Sequence, residues 1–109
     1  MPRQTSDHDV FAAVADPTRR AILDRLRRRG AIPAMELADG FRVSRPAISR
    51  HLRVLRRAKL VTERREGRNR FYQLTPGPLH DIDAWIESYR MLWQHNLTNL
   101  KRHLEQQSK

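Results

Sequence analysis

Two stretches decide how this chain folds: Ser44-Arg45-Pro46-Ala47-Ile48-Ser49-Arg50-His51-Leu52-Arg53-Val54-Leu55, and then Val61-Thr62-Glu63-Arg64-Arg65-Glu66-Gly67-Arg68-Asn69-Arg70-Phe71-Tyr72-Gln73-Leu74. The first opens on a helix-start signal. Ser44 can accept a backbone N–H that lacks an intrahelical partner, and Pro46 is tolerated because first-turn N–H groups are unpaired anyway. From Arg45 to about Lys59, the residues Ile48, Leu52 and Leu55 recur at helical spacing and point inward. Arg45, Ser49, Arg50, Arg53 and Arg57 then fall on the open face.

After Leu60 the period switches from helical to two. Val61 to Glu66 and Asn69 to Leu74 are short β-branched, aromatic and polar runs, and Glu66-Gly67-Arg68-Asn69 between them is a hairpin signal. Arg64, Arg65, Arg68 and Arg70 decorate this ribbon. Upstream, Pro33 opens a short helix carrying Met35, Leu37 and Ala38, which Asp39-Gly40 breaks. That helix, a tight glycine-containing turn and the helix from Arg45 form a helix-turn-helix over residues 33–59. With a basic hairpin directly behind it, over residues 60–75, the pattern is a winged helix: mainly α, with a small β-hairpin.

Working outward, Asp7 to Ala15 reads as a short helix with Val10, Phe11 and Val14 on one side. Asp16-Pro17 starts the next, Asp16 as N-cap and Pro17 at the first helical position. It runs to about Arg29, with Ala21, Ile22, Leu23 and Leu26 toward the core, until Gly30 stops it. Residues 1–6 are expected to form a flexible tail, and residues 7–109 one domain.

Beyond Thr75-Pro76-Gly77-Pro78 a single helical pattern covers residues 78–105. Ile82, Ile86, Tyr89, Trp93, Leu97, Leu100 and Leu104 recur at spacings of three and four, and Leu79, Trp85 and Leu92 widen the stripe. At 1.5 Å per residue such a helix is roughly 40 Å long, more than the width of a small domain. One chain cannot cover that face. Pairing with the same helix of a second copy, helped by Val10, Phe11 and Val14, is the economical solution, so a homodimer is expected; the alternative is a helix lying back over its own domain.

The charge distribution is uneven. The chain has 109 residues, 22 Lys+Arg against 12 Asp+Glu and a formal charge of +10. Residues 42–70 hold eleven Lys/Arg against Glu63 and Glu66 only, a net +9. Charge confined to one part of a folded domain is the footprint of a polyanion, and because the run coincides with the helix-turn-helix, double-stranded DNA is the expected one; a solvated basic face serving solubility is the bland alternative. A membrane-surface helix would set Trp, Phe or Leu opposite the charges, whereas Ile48, Leu52 and Leu55 read as core. The longest unbroken apolar run, Val10 to Ala15, is far short of the roughly 20 residues that span a bilayer. No apolar segment follows Met1-Pro2-Arg3-Gln4-Thr5-Ser6, so no secretory signal is expected and the cytoplasm is the simplest compartment. Absence of cysteine excludes disulfides, thiolate metal sites and thiol nucleophiles. No phosphate-cradling glycine loop, HExxH, paired catalytic carboxylates or Ser/His/Asp spacing occurs, so no enzyme and no cofactor are expected.

Several ordered blocks together resemble the ArsR family of bacterial winged-helix repressors. They are Phe11-Ala12-Ala13-Val14-Ala15-Asp16-Pro17-Thr18-Arg19-Arg20-Ala21-Ile22-Leu23, then Val43 to Leu55, then Leu60-Val61, Arg65-Glu66-Gly67-Arg68 and Tyr72-Gln73-Leu74. The resemblance runs from about residue 8 to residue 104. It implies a homodimeric transcriptional regulator, usually a repressor, on an inverted-repeat operator. Many such relatives release DNA when a metal binds, but the residues here depart from them. Met35-Glu36-Leu37-Ala38-Asp39 holds no sensor cysteine. Where the zinc-sensing version carries Asp-x-His and then His-x-x-His/Glu, this chain has Asp83 and Trp85, then Asn96 and Asn99. It is similar to the cysteine-free, non-metal branch, and its effector stays open.

Within this frame Arg45, Ser49, Arg50 and Arg53 are the base-edge candidates, since Arg can grip guanine O6 and N7 bidentately. Ser44 is a cap with a possible phosphate contact, and Pro46 can face a thymine methyl or simply stiffen the first turn. Arg68 and Arg70 are expected in or beside the minor groove, where narrow A·T tracts attract guanidinium groups. Arg57 and Arg64 complete the expected DNA-binding set. His51 reads as a packed, hydrogen-bonded histidine. Three alternatives stay open: a sequence-tolerant architectural DNA binder, a protein-interaction module whose long helix binds a different chain, and a metal-responsive repressor. The last would use His95, Asn99 and His103 with His80, Asp81 or Asp83 of a partner copy.

Overall fold

The computed structural model describes residues 9–107, and its first elements begin where short acidic side chains cap them. The expected tail over residues 1–6, and Asp7, lie outside the described residues. Helix α1 (Val10–Val14) is capped by Asp9, whose carboxylate accepts the Phe11 N–H at 2.9 Å. Helix α2 (Pro17–Arg29) is capped by Asp16, which accepts the Arg19 N–H at 3.0 Å, with Pro17 opening the first turn. Strand β1 (Ile32–Pro33), α3 (Ala34–Ala38), α4 (Arg45–Arg57), β2 (Val61–Glu66), β3 (Asn69–Leu74) and α5 (Leu79–Gln107) follow.

The three strands form one antiparallel sheet in the order β1-β3-β2. β2 and β3 pair from Val61↔Leu74 to Glu66↔Asn69. The loop between them is therefore Gly67-Arg68, and Gly67 takes φ 62°. A positive φ at the first of two loop residues is the hairpin geometry that glycine serves without steric cost. Strand β1 corrects the sequence reading. Pro33 was expected to open a helix, but it lies opposite Phe71 while Ile32 lies opposite Tyr72, and the helix starts at Ala34. A proline is acceptable there because β1 is an edge strand.

Side chains of α2, β1, α3, α4 and β2 build the core: Ile22, Leu26, Ile32, Leu37, Ile48, Leu55 and Val61 are almost fully buried, with Leu60. Ala21, expected to face inward, is exposed. Ile22, Leu26 and Leu23 define the buried arc of α2, and Ala21 lies about 100° outside it. Arg25 leaves the same helix to stack over the Phe41 ring at 5.5 Å. Its guanidinium crosses the turn where Gly40 has no Cβ to meet it.

The contacts gather into two units, one ending at Leu79 and one beginning at His80. The first is the winged helix. The second is α5, a helix of 29 residues with none buried. No helix among the described residues is long and apolar enough to cross a membrane.

Candidate nucleic-acid interface

Helix α4 is anchored by one face and displays the other. Ile48, Leu52 and Leu55 are buried, and Ser44 caps the N-terminus by accepting the Ala47 N–H at 3.2 Å. Arg45, Pro46, Ser49, Arg50, Arg53 and Arg57 are all exposed. The expected base-reading residues therefore share one solvent face of a rigid helix. At the other end of the motif, Arg64, Arg68 and Arg70 are exposed on the hairpin, with Arg68 in its loop.

Ion pairing sorts these arginines. Arg45 Nη2 lies 3.2 Å from Asp39 Oδ1 and Arg64 Nη2 lies 3.0 Å from Glu66 Oε1, with both partners more than half exposed in each case. Exposed pairs contribute roughly 0–1 kcal/mol, so either arginine can exchange its carboxylate for a phosphate. Arg64 also lies over the Phe71 ring, 5.7 Å from its centroid. Arg42, Arg50, Arg53 and Arg68 are exposed and, among the described residues, have no acidic partner within 4.0 Å.

Arg70 differs. Its Nη1 lies 3.7 Å from Glu63 Oε2, and the same carboxylate group is approached by Arg56 at 3.4 Å and Arg65 at 3.9 Å. Glu63 is only 15% exposed. Arg56 was not among the expected functional residues. The signal that could have found it is Glu63, an acid on an inward hairpin position.

Behind α4, Arg19 joins three elements. Its Nε and Nη2 donate to the carbonyls of Ala13 and Ala12 at the end of α1, at 2.7 and 3.1 Å. Its Nη1 lies 3.1 Å from His51 Nδ1. Facing a guanidinium, that ring nitrogen acts as the acceptor, so His51 is the packed histidine the sequence suggested.

Of the residues expected at a dimer contact, Val10 is 5% exposed within the chain itself, and Phe11 and Val14 are half-buried. Along α5, Ile82 and Ile86 are half-buried, whereas Tyr89, Trp93, Leu97, Leu100 and Leu104 are exposed. Trp85 packs its ring against Tyr89, with centroids 5.2 Å apart. His95 Nε2 lies 3.1 Å from Asn99 Nδ2, and His103 Nε2 lies 3.0 Å from Gln107 Nε2. Among the described residues no three of His, Asp or Glu gather as a metal site would need.

The chain is similar to known proteins in sequence and in structure. A helix-turn-helix domain family matches residues 14–64. The transcriptional repressor SdpR of Bacillus subtilis is 38% identical over 82 residues, covering 75% of this chain and 90% of that protein. The HTH-type transcriptional regulator Rv2034 of Mycobacterium tuberculosis is 41% identical over 98 residues, covering 90% of this chain and 88% of that protein. A crystal structure of an ArsR family transcriptional regulator superposes with a TM-score of 0.69 at 32% identity, covering 86% of this chain and 97% of the other. With its capped reading helix, its hairpin wing and these relatives, the chain belongs to the ArsR family of winged-helix transcriptional regulators, proteins that bind DNA.

Proposed function

We propose that this protein is a homodimeric repressor that acts by binding rather than catalysis, on an inverted-repeat operator. Each copy sets α4 in a major groove and its wing in or beside the adjacent minor groove. The observation that carries this reading is the outer face of α4. Arg50 and Arg53 project from an apolar-anchored helix with no acid among the described residues to neutralise them. Arg45, Ser49 and Arg50 occupy the first two turns, the part of such a helix that reaches base edges. Ser44, Pro46, Arg57 and Arg64 flank them toward the phosphates, and Arg68 and Arg70 serve the wing.

The exposed stripe of α5, from Tyr89 through Trp93, Leu97, Leu100 and Leu104, supports pairing with a second copy. Two reading helices in successive major grooves would sit about 34 Å apart. A cytoplasmic location goes with this reading.

Selection from a randomised duplex pool, followed by footprinting, tests the reading. The expected product is a discrete, two-fold symmetric site. On it Arg50→Ala should weaken binding by roughly 1–3 kcal/mol while leaving random-duplex affinity nearly unchanged, and Arg68→Ala should weaken both and flatten the salt dependence by about 0.9 in slope. A diffuse footprint, or equal losses on both duplexes for Arg50→Ala, would sink the operator reading in favour of a sequence-tolerant binder.

A further inference from the structure

We propose that Glu63 is a positioning residue that restrains the arginines at the root of the wing, and that it thereby raises discrimination between the operator and arbitrary DNA. The inference rests on the operator reading above. Glu63 alternates along β2 with Val61 and Arg65, so all three share a face of the hairpin. Arg65 and Arg70 stand directly opposite one another across β2 and β3. Like charges in that position repel. Arg56 brings a third guanidinium from the last turn of α4. One carboxylate answers all three, at 3.4, 3.7 and 3.9 Å.

Burial separates this cluster from the other ion pairs of the interface. Asp39 and Glu66 are 65% and 60% exposed, whereas Glu63 is 15% exposed. Water screens the charge of Glu63 least, so at equal distance it attracts a guanidinium more strongly than the exposed acids do, while Arg56, Arg70 and Arg65, at 50%, 50% and 74% exposure, keep their outer edges in water. Across the strand Tyr72 is buried, and burial first, then the charge of Glu63, push its phenol above the ordinary value of 10.0. Glu63 thus ties the end of the reading helix to the wing through Arg56 on one side and Arg70 on the other.

The consequence is a matter of which phosphates can be reached. Phosphates are alike in every sequence, so an arginine free to swing adds affinity for any duplex. An arginine held by Glu63 contributes only where the helix and wing already fit. Releasing it should favour random DNA over the operator.

Salt-dependent binding of the full chain to a random duplex and to the pool-selected duplex decides this. Glu63→Gln keeps the side chain's shape and removes its charge. It should steepen the random-duplex salt slope by about 0.9 per arginine released, which is about threefold in affinity between 50 and 200 mM salt. The selected-to-random affinity ratio should fall by a similar factor. Arg56→Gln alone should leave the random-duplex slope unchanged, because Arg56 is withheld in the parent, but should cancel much of the steepening in the Glu63→Gln background.

Parent-like slope and ratio in Glu63→Gln would overturn the proposal. If Glu63→Gln melts below the assay temperature, the Arg56→Gln slope decides alone: a loss of about 0.9 means that Arg56 already contacts phosphate and Glu63 withholds nothing. A parent that binds random duplex but selects no sequence defeats the operator reading, while the slopes still decide whether Glu63 restrains the arginines. A parent that binds no duplex at all overturns both.

Discussion

Asp16 holds the start of α2 and touches the back of the reading helix. Its carboxylate accepts the Arg19 N–H at 3.0 Å and lies 3.9 Å from His51 Nδ1. The bond from the Arg19 backbone, aided by the charge of Arg19, holds its carboxyl below the ordinary 3.8 against the opposing pull of burial. A carboxyl depressed in the folded state contributes stability that is complete above the unfolded value and is lost as the pH falls through the lower folded one. Asp16→Ala should therefore cost about 1 kcal/mol at pH 7, the usual worth of such a cap. That difference should shrink as both chains are melted at pH values progressively below 3.8. A gap that stays constant down to pH 2 would remove the ionised carboxylate from the explanation. Arg19 adds a contact that no periodicity announces, since its guanidinium satisfies the carbonyls of Ala12 and Ala13 from seven and six residues away.

Among the elements, the end of α4 shows a residue working against its own preference. The helix was expected to run to about Lys59 but stops at Arg57, and Lys59 takes φ 63°. Two bonds close the terminus: Leu60 N–H to the Leu55 carbonyl at 3.0 Å, and Lys59 N–H to the Arg56 carbonyl at 3.0 Å. This is the Schellman pattern, and its left-handed position normally holds glycine. Leu55 and Leu60, the two residues joined by the bond that spans more of the chain, are both fully buried, which is what keeps the turn closed over a strained lysine. Lys59→Gly should raise the stability of the chain by about 1 kcal/mol, read as a higher melting temperature. Unchanged or lowered stability would mean that the αL strain is relieved elsewhere. Most elements were legible beforehand. Ser44, Asp16 and Pro17 mark starts, Gly67 marks the hairpin, and period-two runs mark its strands. The two-residue strand β1 was not legible, because two residues have no period and Pro33 reads equally well as a helix start.

At the scale of the molecule, α5 sets the question of assembly. Its 29 residues extend for about 43 Å, and Trp93, Leu97, Leu100 and Leu104 each stay more than half exposed. Large contiguous apolar patches on a single chain mark contact sites. If α5 pairs two copies, Leu97→Glu combined with Leu100→Glu should convert a dimer into a monomer by light scattering. Loss of one half-site should then reduce affinity for the selected duplex by at least tenfold, while random-duplex affinity falls far less. A double variant that stays dimeric, or a parent already monomeric, would reject the pairing. The winged helix would then need another route to two-fold DNA.

The amino-acid order alone determined where the helices and the two hairpin strands lie, though not β1, which face of α4 is apolar, and that nearly all the excess charge falls within residues 42–70. Those are local properties, written in caps, periods and composition. Only the folded chain decided which arginines stand free and which are held. Arg50 and Arg70 look alike in sequence, yet Arg70 meets a shielded carboxylate that strand pairing brings beside Arg56 from a different element. Coulomb interaction depends on distance and on water, and both are set by how the strands and helix pack, not by position along the chain.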